Sequence, residues 1–229
     1  FNDSWPSATW SCLDYYKRKK ALYYYSKHLY DNLLIVLKPL IVNNQEISWF
    51  KNQVQGLEVI LVNDNLEAKK GQFRIACYTL KGVKKGEIKK DIEIPADSTF
   101  YLGKFTSKDL GLGYSPIPVS VPYGNSILVG EENKELLHSV IFAELITEDN
   151  VYRNYLVFQP FRDLPLCTPN IKTITKEKGI IELKSDIPAF GVFLETEEDI
   201  DLEDNCLYLE PGIEYKIKYT GEIKKINVL

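Results

Sequence analysis

The chain has 229 residues, 28 Lys plus Arg against 32 Asp plus Glu, a formal net charge of −4 and 45% apolar residues. That apolar share excludes general disorder, and the mildly acidic balance gives no electrostatic basis for binding nucleic acid or an anionic membrane surface. The longest aliphatic run, residues 33–37, is far shorter than the ~20 residues that span a bilayer.

At roughly 100–200 residues per domain, the length allows one or two domains. The chain begins at Phe1 and holds no methionine, so we expect a processed or excised portion of something longer. Cys12, Cys77, Cys167 and Cys206 are widely spaced and form no C-x-x-C pair. They read as small core hydrophobes in a reducing, cytoplasmic setting, although spacing alone leaves two disulfides open. With only His28 and His138 beside them, no zinc pattern forms, and no metal or cofactor is expected.

Residues 1–12 are aromatic and turn-rich, with Trp5-Pro6 and Trp10. Asp14 stands where a helix N-cap would stand, ahead of residues 15–30. Ala21, Leu22, Tyr25 and Leu29 recur at spacings of three and four, which predicts one apolar helical face, with Lys17, Arg18, Lys19, Lys20 and Lys27 solvated. From residue 32 the pattern changes to strands. Residues 33–37 suit a strand covered on both faces. Strands are also predicted at 57–62, 72–80, 87–94, 99–105, 139–147 and 152–158. In 72–80, Phe73, Ile75 and Cys77 fall on one face and Arg74 and Tyr78 on the other. Residues 108–122, rich in Gly and Pro, read as a long connection.

Residues 161–169 read as a linker. A second strand series follows at 171–175, 179–184, 190–195, 206–209, 215–219 and 223–228, interrupted by an acidic, solvated loop over 195–204. At roughly sixty residues this unit is small beside a ~100-residue sandwich, so it is expected to lean on a neighbour. Short strands divided by Gly, Pro and Asn signals predict a mainly β chain of sandwich type.

Sequence signals for chemistry are sparse. No G-x-S-x-G nucleophile elbow and no phosphate-cradling glycine pattern is present; Gly111-Leu112-Gly113 lacks a following helix. Glu131-Glu132 and Glu197-Glu198 are the obvious carboxylate pairs for glycoside hydrolysis. Both lie in charged, loop-like stretches, where solvated side chains are the ordinary outcome. The cluster Phe1, Trp5 and Trp10 offers rings that stack on apolar C–H faces, of sugars or of a protein core.

The segment Asn2-Asp3-Ser4-Trp5-Pro6, followed by Trp10-Ser11-Cys12-Leu13-Asp14-Tyr15-Tyr16 and Lys20-Ala21-Leu22-Tyr23-Tyr24, resembles the end of the catalytic barrel in glycoside hydrolase family 2 β-mannosidases. Arg153-Asn154-Tyr155, Leu164-Pro165 and Pro169-Asn170-Ile171 are similar to the join between that family's last two domains. Ser185-Asp186-Ile187-Pro188-Ala189-Phe190-Gly191-Val192 and Asp204-Asn205-Cys206-Leu207-Tyr208-Leu209-Glu210-Pro211-Gly212 resemble its terminal immunoglobulin-like domain. The middle matches mainly in pattern, around Val62-Asn63-Asp64-Asn65-Leu66.

The resemblance covers essentially the whole chain. It implies two immunoglobulin-like β-sandwich domains, at 32–163 and 164–229, preceded by a short helical remnant of a (β/α)8 barrel at 1–31. It implies a retaining, exo-acting parent that removes terminal β-D-mannose, with both catalytic glutamates upstream of Phe1 and thus no catalytic residue in this chain. The implied partners are the parent's own barrel and, through it, a β-mannoside. Barrel sites form at the C-terminal ends of strands, which places Asn2, Asp3 and Trp5 nearest the sugar. Trp5 would be a stacking wall; Asp3 would bond a hydroxyl or hold its loop, the loop role being favoured. Trp10 and Asp14 would be structural. A carbohydrate-binding module with exposed aromatics, such as Trp49-Phe50, is the rival reading, as is the same region of a family 2 β-galactosidase, β-glucuronidase or exo-β-glucosaminidase. Asn2-Asp3-Ser4 is also an N-glycosylation sequon.

Overall fold

A computed structural model of the chain describes residues 2–6, 9–43, 52–112, 117–118, 138–196, 200–223 and 225–228. The chain divides into two compact units, one continuous over Asn32–Cys167, the other joining Phe1–Asp31 to Thr168–Leu229.

The continuous unit is an antiparallel sandwich. One sheet has β1 (Leu33–Asn43), β2 (Asn52–Asn63) and β5 (Ser98–Thr106) in the order β1-β2-β5, with the two-residue β6 (Ile117–Pro118) also on β2. The facing sheet runs β4-β3-β7-β8, from β4 (Lys84–Ile94), β3 (Lys69–Thr79), β7 (Ser139–Thr147) and β8 (Val151–Val157). The chain crosses between sheets after β2 and again after β4, a Greek-key connection of the immunoglobulin-like kind. Alternation sends Leu57, Val59 and Leu61 of β2 inward to meet Phe73, Ile75 and Cys77 of β3 and Ile141, Ala143 and Leu145 of β7. Each large side chain so buried contributes about 1.5–3 kcal/mol. The Asn154 side chain closes one margin by donating to the Ile35 carbonyl of β1 at 2.7 Å.

The Asn63–Asn65 turn is built by one buried amide. Asn63 Nδ2 donates to the carbonyls of Glu67 (3.0 Å) and Pro95 (2.8 Å), while its Oδ1 accepts from Asn65 N (3.1 Å) and Nδ2 (2.8 Å). This fastens the first crossover to the second. Gly111 supplies a left-handed turn (φ 75°) pressed against β4; a Cβ there would lie 2.1 Å from the Lys85 carbonyl oxygen.

Several expectations are corrected here. The 108–122 connection contains β6. Arg74 and Tyr78 face away from Phe73 and Ile75, as the alternation predicts, and both are buried. Arg74 lies in a network of charges across four strands, paired with Glu144 (3.5 Å) and Glu87 (3.2 Å), while Arg153 takes the other Glu144 oxygen at 2.8 Å. Of the cysteines only Cys77 is buried; Cys167 is exposed, Cys12 and Cys206 are partly buried, and all four are free thiols.

In the second unit, β13 (Asp201–Leu202), β15 (Glu214–Thr220), β10 (Ile180–Ser185) and β9 (Ile171–Glu177) form one sheet in that order. Two short pairs, β11 (Ala189–Val192) with β14 (Leu207–Leu209) and β12 (Leu194–Thr196) with β16 (Ile226–Val228), complete the β structure. Ile181, Leu183, Val192, Leu194, Leu209 and Ile217 belong to one buried core. The predicted strand at 190–195 is interrupted after Val192. Buried Asn205 substitutes for a strand neighbour there: its Oδ1 accepts the Leu194 N–H at 2.7 Å and its Nδ2 donates to the Leu194 carbonyl at 2.9 Å. Glu210-Pro211-Gly212-Ile213 is a tight turn, with Gly212 at φ 75° and the Ile213 N–H donating to the Glu210 carbonyl. The 161–169 linker opens with one 3₁₀ turn, Phe161–Asp163.

Candidate functional site

The N-terminal helix is shorter than expected. It runs Ala21–Leu29 (α1), with Lys20 rather than Asp14 at its N-cap. Residues 14–18 instead close a hairpin. The Lys17 N–H donates to the Asp14 carbonyl, Lys17 takes a left-handed φ of 65°, and Asp14 Oδ1 accepts the Arg18 N–H at 2.8 Å. Leu13 bridges antiparallel to Lys19 and parallel to Asn2. The carboxylate that resembled a helix cap therefore caps a turn, and helical periodicity starts only at Ala21.

Asp3 is the centre of this segment. It is 3% exposed, and its carboxylate accepts hydrogen bonds from Thr9 Oγ1, from Ser11 Oγ at 2.6 Å and from Lys20 Nζ at 2.6 Å. The Lys20 ammonium, with the Ser11 and Thr9 hydroxyls, holds the Asp3 carboxyl down to a pKa of about 2. Lys20 Nζ also donates to Ser11 Oγ (3.0 Å) and the Thr9 carbonyl (3.3 Å), and the Asp3 N–H donates to Leu13 O (3.0 Å). Asn2 is exposed and its Nδ2 donates to the Asp3 carbonyl at 3.3 Å. This hub ties down both ends of the loop carrying the indoles, and both indoles point outward: Trp5 is 75% exposed and Trp10 97%.

The helix docks by a face other than the predicted one. Tyr24 is buried, and burial together with Asp201, Tyr23 and Asp204 pushes its phenol up to about 12. On the same side Lys27 Nζ donates to the Glu203 carbonyl at 3.0 Å, and His28 Nε2 contacts Asp204 at 2.9 Å. Lys19 pairs with Asp201 and lies over the Tyr23 ring. The acidic stretch read as a solvated loop thus contains β13 and forms the seat of α1. The predicted stripe, Ala21, Leu22, Tyr25 and Leu29, is exposed, because the helix turns its Tyr24 side to the sandwich. More than half-exposed, Trp5, Trp10, Tyr16, Leu29 and Tyr30 concentrate apolar surface within one short segment.

Phe1, Trp49-Phe50, Gly113, Glu131-Glu132 and Glu197-Glu198 lie outside the described residues. Among the described residues no group of three or more His, Cys, Asp or Glu is placed to hold a metal ion, and no helix is long and apolar enough to cross a membrane. The Lys20 hub was missed by the sequence reading. Its only signal was a lysine at a position where a helix cap is normally a small polar residue.

By fold, the chain is a tandem of immunoglobulin-like sandwiches with an N-terminal helical segment. Residues 55–163 match the Mannosidase Ig/CBM-like domain and residues 166–227 the Ig-fold domain of mannosidases, so these two segments are mannosidase immunoglobulin-like domains. Among solved structures it is similar to the β-D-mannosidase of Dictyoglomus thermophilum, at 25% identity and a TM-score of 0.71, over 100% of this chain and 25% of that one. It also shares a fold with the exo-chitosanase CsxA of Amycolatopsis orientalis, at 16% identity and a TM-score of 0.51, over 95% of this chain and 27% of that one. The chain spans about a quarter of the length of these relatives. These are immunoglobulin-like domains of the glycoside hydrolase family 2 type. No curated protein matches the sequence.

Proposed function

We propose that this chain is the C-terminal, non-catalytic portion of a retaining exo-β-mannosidase, and that the parent removes terminal, non-reducing β-D-mannose. The observation that carries the reading is the exposed apolar surface of residues 5–30, held in a defined shape by the Asp3–Lys20 hub and by the seat of α1. An apolar helix stripe facing water is stable only at a cost, and a catalytic barrel completed by this segment would cover it. The match of all of this chain to a quarter of a β-D-mannosidase supports mannose over the sugars of other family 2 enzymes.

In this reading Leu22, Tyr25 and Leu29 pack on the barrel. Asn2 and Trp5 lie at the rim of the sugar pocket, where the Trp5 indole stacks on the C–H face of the mannosyl ring. Asp3 positions that loop. The two glutamates of the displacement belong to the barrel upstream, and no metal or cofactor takes part. The domains divide into 1–31 as the end of the barrel and two sandwiches at 32–163 and 164–229, all in the cytoplasm.

The test is a panel of aryl β-glycosides with the full-length parent and its Trp5→Ala variant. The parent should prefer the β-D-mannoside to the galactoside, glucuronide and glucosaminide. Loss of one stacked ring should raise KM by roughly tenfold. Preference for another sugar, or an unchanged KM in the variant, would contradict the assignment.

A further inference from the structure

Tyr24, Lys27 and His28 recur at helical spacing and form the side of α1 that meets the terminal sandwich. What they meet is firmly held. Leu202 and Asn205, which flank Glu203 and Asp204, are both buried. The Glu203 N–H donates to the Lys218 carbonyl at 2.8 Å, and Leu202 pairs with Tyr219 of β15. The seat of α1 is thus tied to the sheet rather than being a loose loop.

The other end of the helix reaches the indoles. Lys20 directly precedes Ala21, and its N–H donates to the Cys12 carbonyl at 2.9 Å. Its ammonium grips the chain at Asp3, just ahead of Trp5, at 2.6 Å. It also holds the Thr9 carbonyl (3.3 Å) and Ser11 Oγ (3.0 Å), which flank Trp10. Cys12 Sγ lies 3.9 Å from Ser26 Oγ, so this segment also touches α1 farther along. One ammonium at the helix N-cap is therefore the junction through which the placement of α1 reaches both indoles. An aliphatic side chain there would leave the buried Asp3 carboxylate without its counter-charge.

We propose that Lys20 is a positioning residue for Trp5, and that the terminal sandwich, by seating α1, fixes Trp5 for substrate binding. The inference rests on the proposed function, in which Trp5 stacks on the mannosyl ring. It gives the last domain a part in substrate binding without a sugar contact of its own. The coupling runs through covalent and hydrogen-bonded neighbours, from Asp204 and Glu203 through α1 to Lys20 and Asp3. Stacking depends on the distance and tilt of the ring, so a displaced α1 is felt as lost binding. The indole is not a reacting group. Stacking that is equal in bound substrate and transition state changes KM and leaves kcat alone.

The experiment has two arms. In the full-length parent acting on an aryl β-D-mannoside, Lys20→Met should raise KM roughly tenfold with kcat within about twofold. Lys20→Arg keeps the charge and donors and should stay within about threefold of the unsubstituted enzyme. Tyr24→Ala should raise KM as Lys20→Met does, and neither change should raise it further in a Trp5→Ala background. In the 229-residue chain, nuclear magnetic resonance relaxation should give order parameters of about 0.85 for the Ser4, Trp5 and Trp10 amides, falling below about 0.6 in Lys20→Met and Tyr24→Ala. Lys27→Met with His28→Gln leaves Tyr24 in place and carries both arms if Tyr24→Ala fails to fold. Unchanged order at Trp5 in the seat variants overturns the proposal, as does an unchanged KM in Lys20→Met where Trp5→Ala raises it. An unchanged KM in Trp5→Ala contradicts the proposed function itself, while the relaxation arm, which needs no sugar, still decides whether the sandwich positions Trp5.

Discussion

His28 on α1 and Asp204 beyond β13, 176 residues apart in sequence, are joined by contacts of 2.9 and 3.0 Å from one ring nitrogen to both carboxylate oxygens. With Lys19–Asp201 and Lys27–Glu203, this pair fastens the N-terminal helix to the last sandwich. One unit is thereby assembled from the two ends of the chain, so separating either end should unfold or loosen the other.

The seam should respond to pH. The hydrogen bond to Asp204 raises the His28 pKa above 6.5, against a smaller opposing effect of burial. The pair's contribution is therefore fully present below about pH 6.5 and is lost as pH rises through the raised folded value. For a half-exposed pair it amounts to about 0.2–1 kcal/mol. The unfolding free energy of this unit, read from urea titration, should fall by that amount between about pH 5.5 and about pH 8.5. In His28→Gln the fall should be absent; an equal fall in the variant would show that His28 is not its source.

Asn205→Ala should be more damaging. It removes the side-chain bonds to the Leu194 N–H and carbonyl and leaves both backbone groups buried without them. The expected loss is about 1–3 kcal/mol, read as a lower urea midpoint. Faster amide exchange at Leu194 would locate the effect; unchanged exchange there would contradict it.

Much of the fold was legible because strand alternation and turn chemistry act locally. β7 spans residues 139–147 as expected, and the Pro211-Gly212 turn follows from the φ values its residues favour. Errors arose where tertiary partners decided. Asp14 has the chemistry of a helix cap, but Arg18 four residues on drew it into a hairpin. Arg74 was placed on the face opposite Phe73, but nothing local announces its partner Glu144, seventy residues later. The stripe Ala21, Leu22, Tyr25 and Leu29 was correctly apolar, yet its neighbour in this chain is water rather than protein. Asp3 was legible as a loop residue only through the resemblance.

Gly111→Ala should destabilise the 32–167 unit. The left-handed φ and a Cβ 2.1 Å from the Lys85 carbonyl oxygen force the 108–112 turn off β4. A cost of about 1–3 kcal/mol follows from the backbone alone. Differential scanning calorimetry should show a lower transition for this unit; an unchanged one would mean the turn relaxes freely.

Leu22→Ser with Leu29→Ser separates the isolated chain from its parent. Both residues face solvent in this chain, so the double variant should shift its stability by no more than about 0.5 kcal/mol. In the full-length enzyme the same change should cost about 2–5 kcal/mol if the stripe is buried against the barrel. Equal small effects in both would contradict docking through this face.

The most direct measurement is hydrolysis of an aryl β-D-mannoside by the purified 229-residue chain and by its full-length parent at equal concentration. The account predicts turnover by the parent and none by the chain alone, since the proposed function assigns the glutamates of the displacement to the barrel. Turnover by the 229 residues themselves would contradict it.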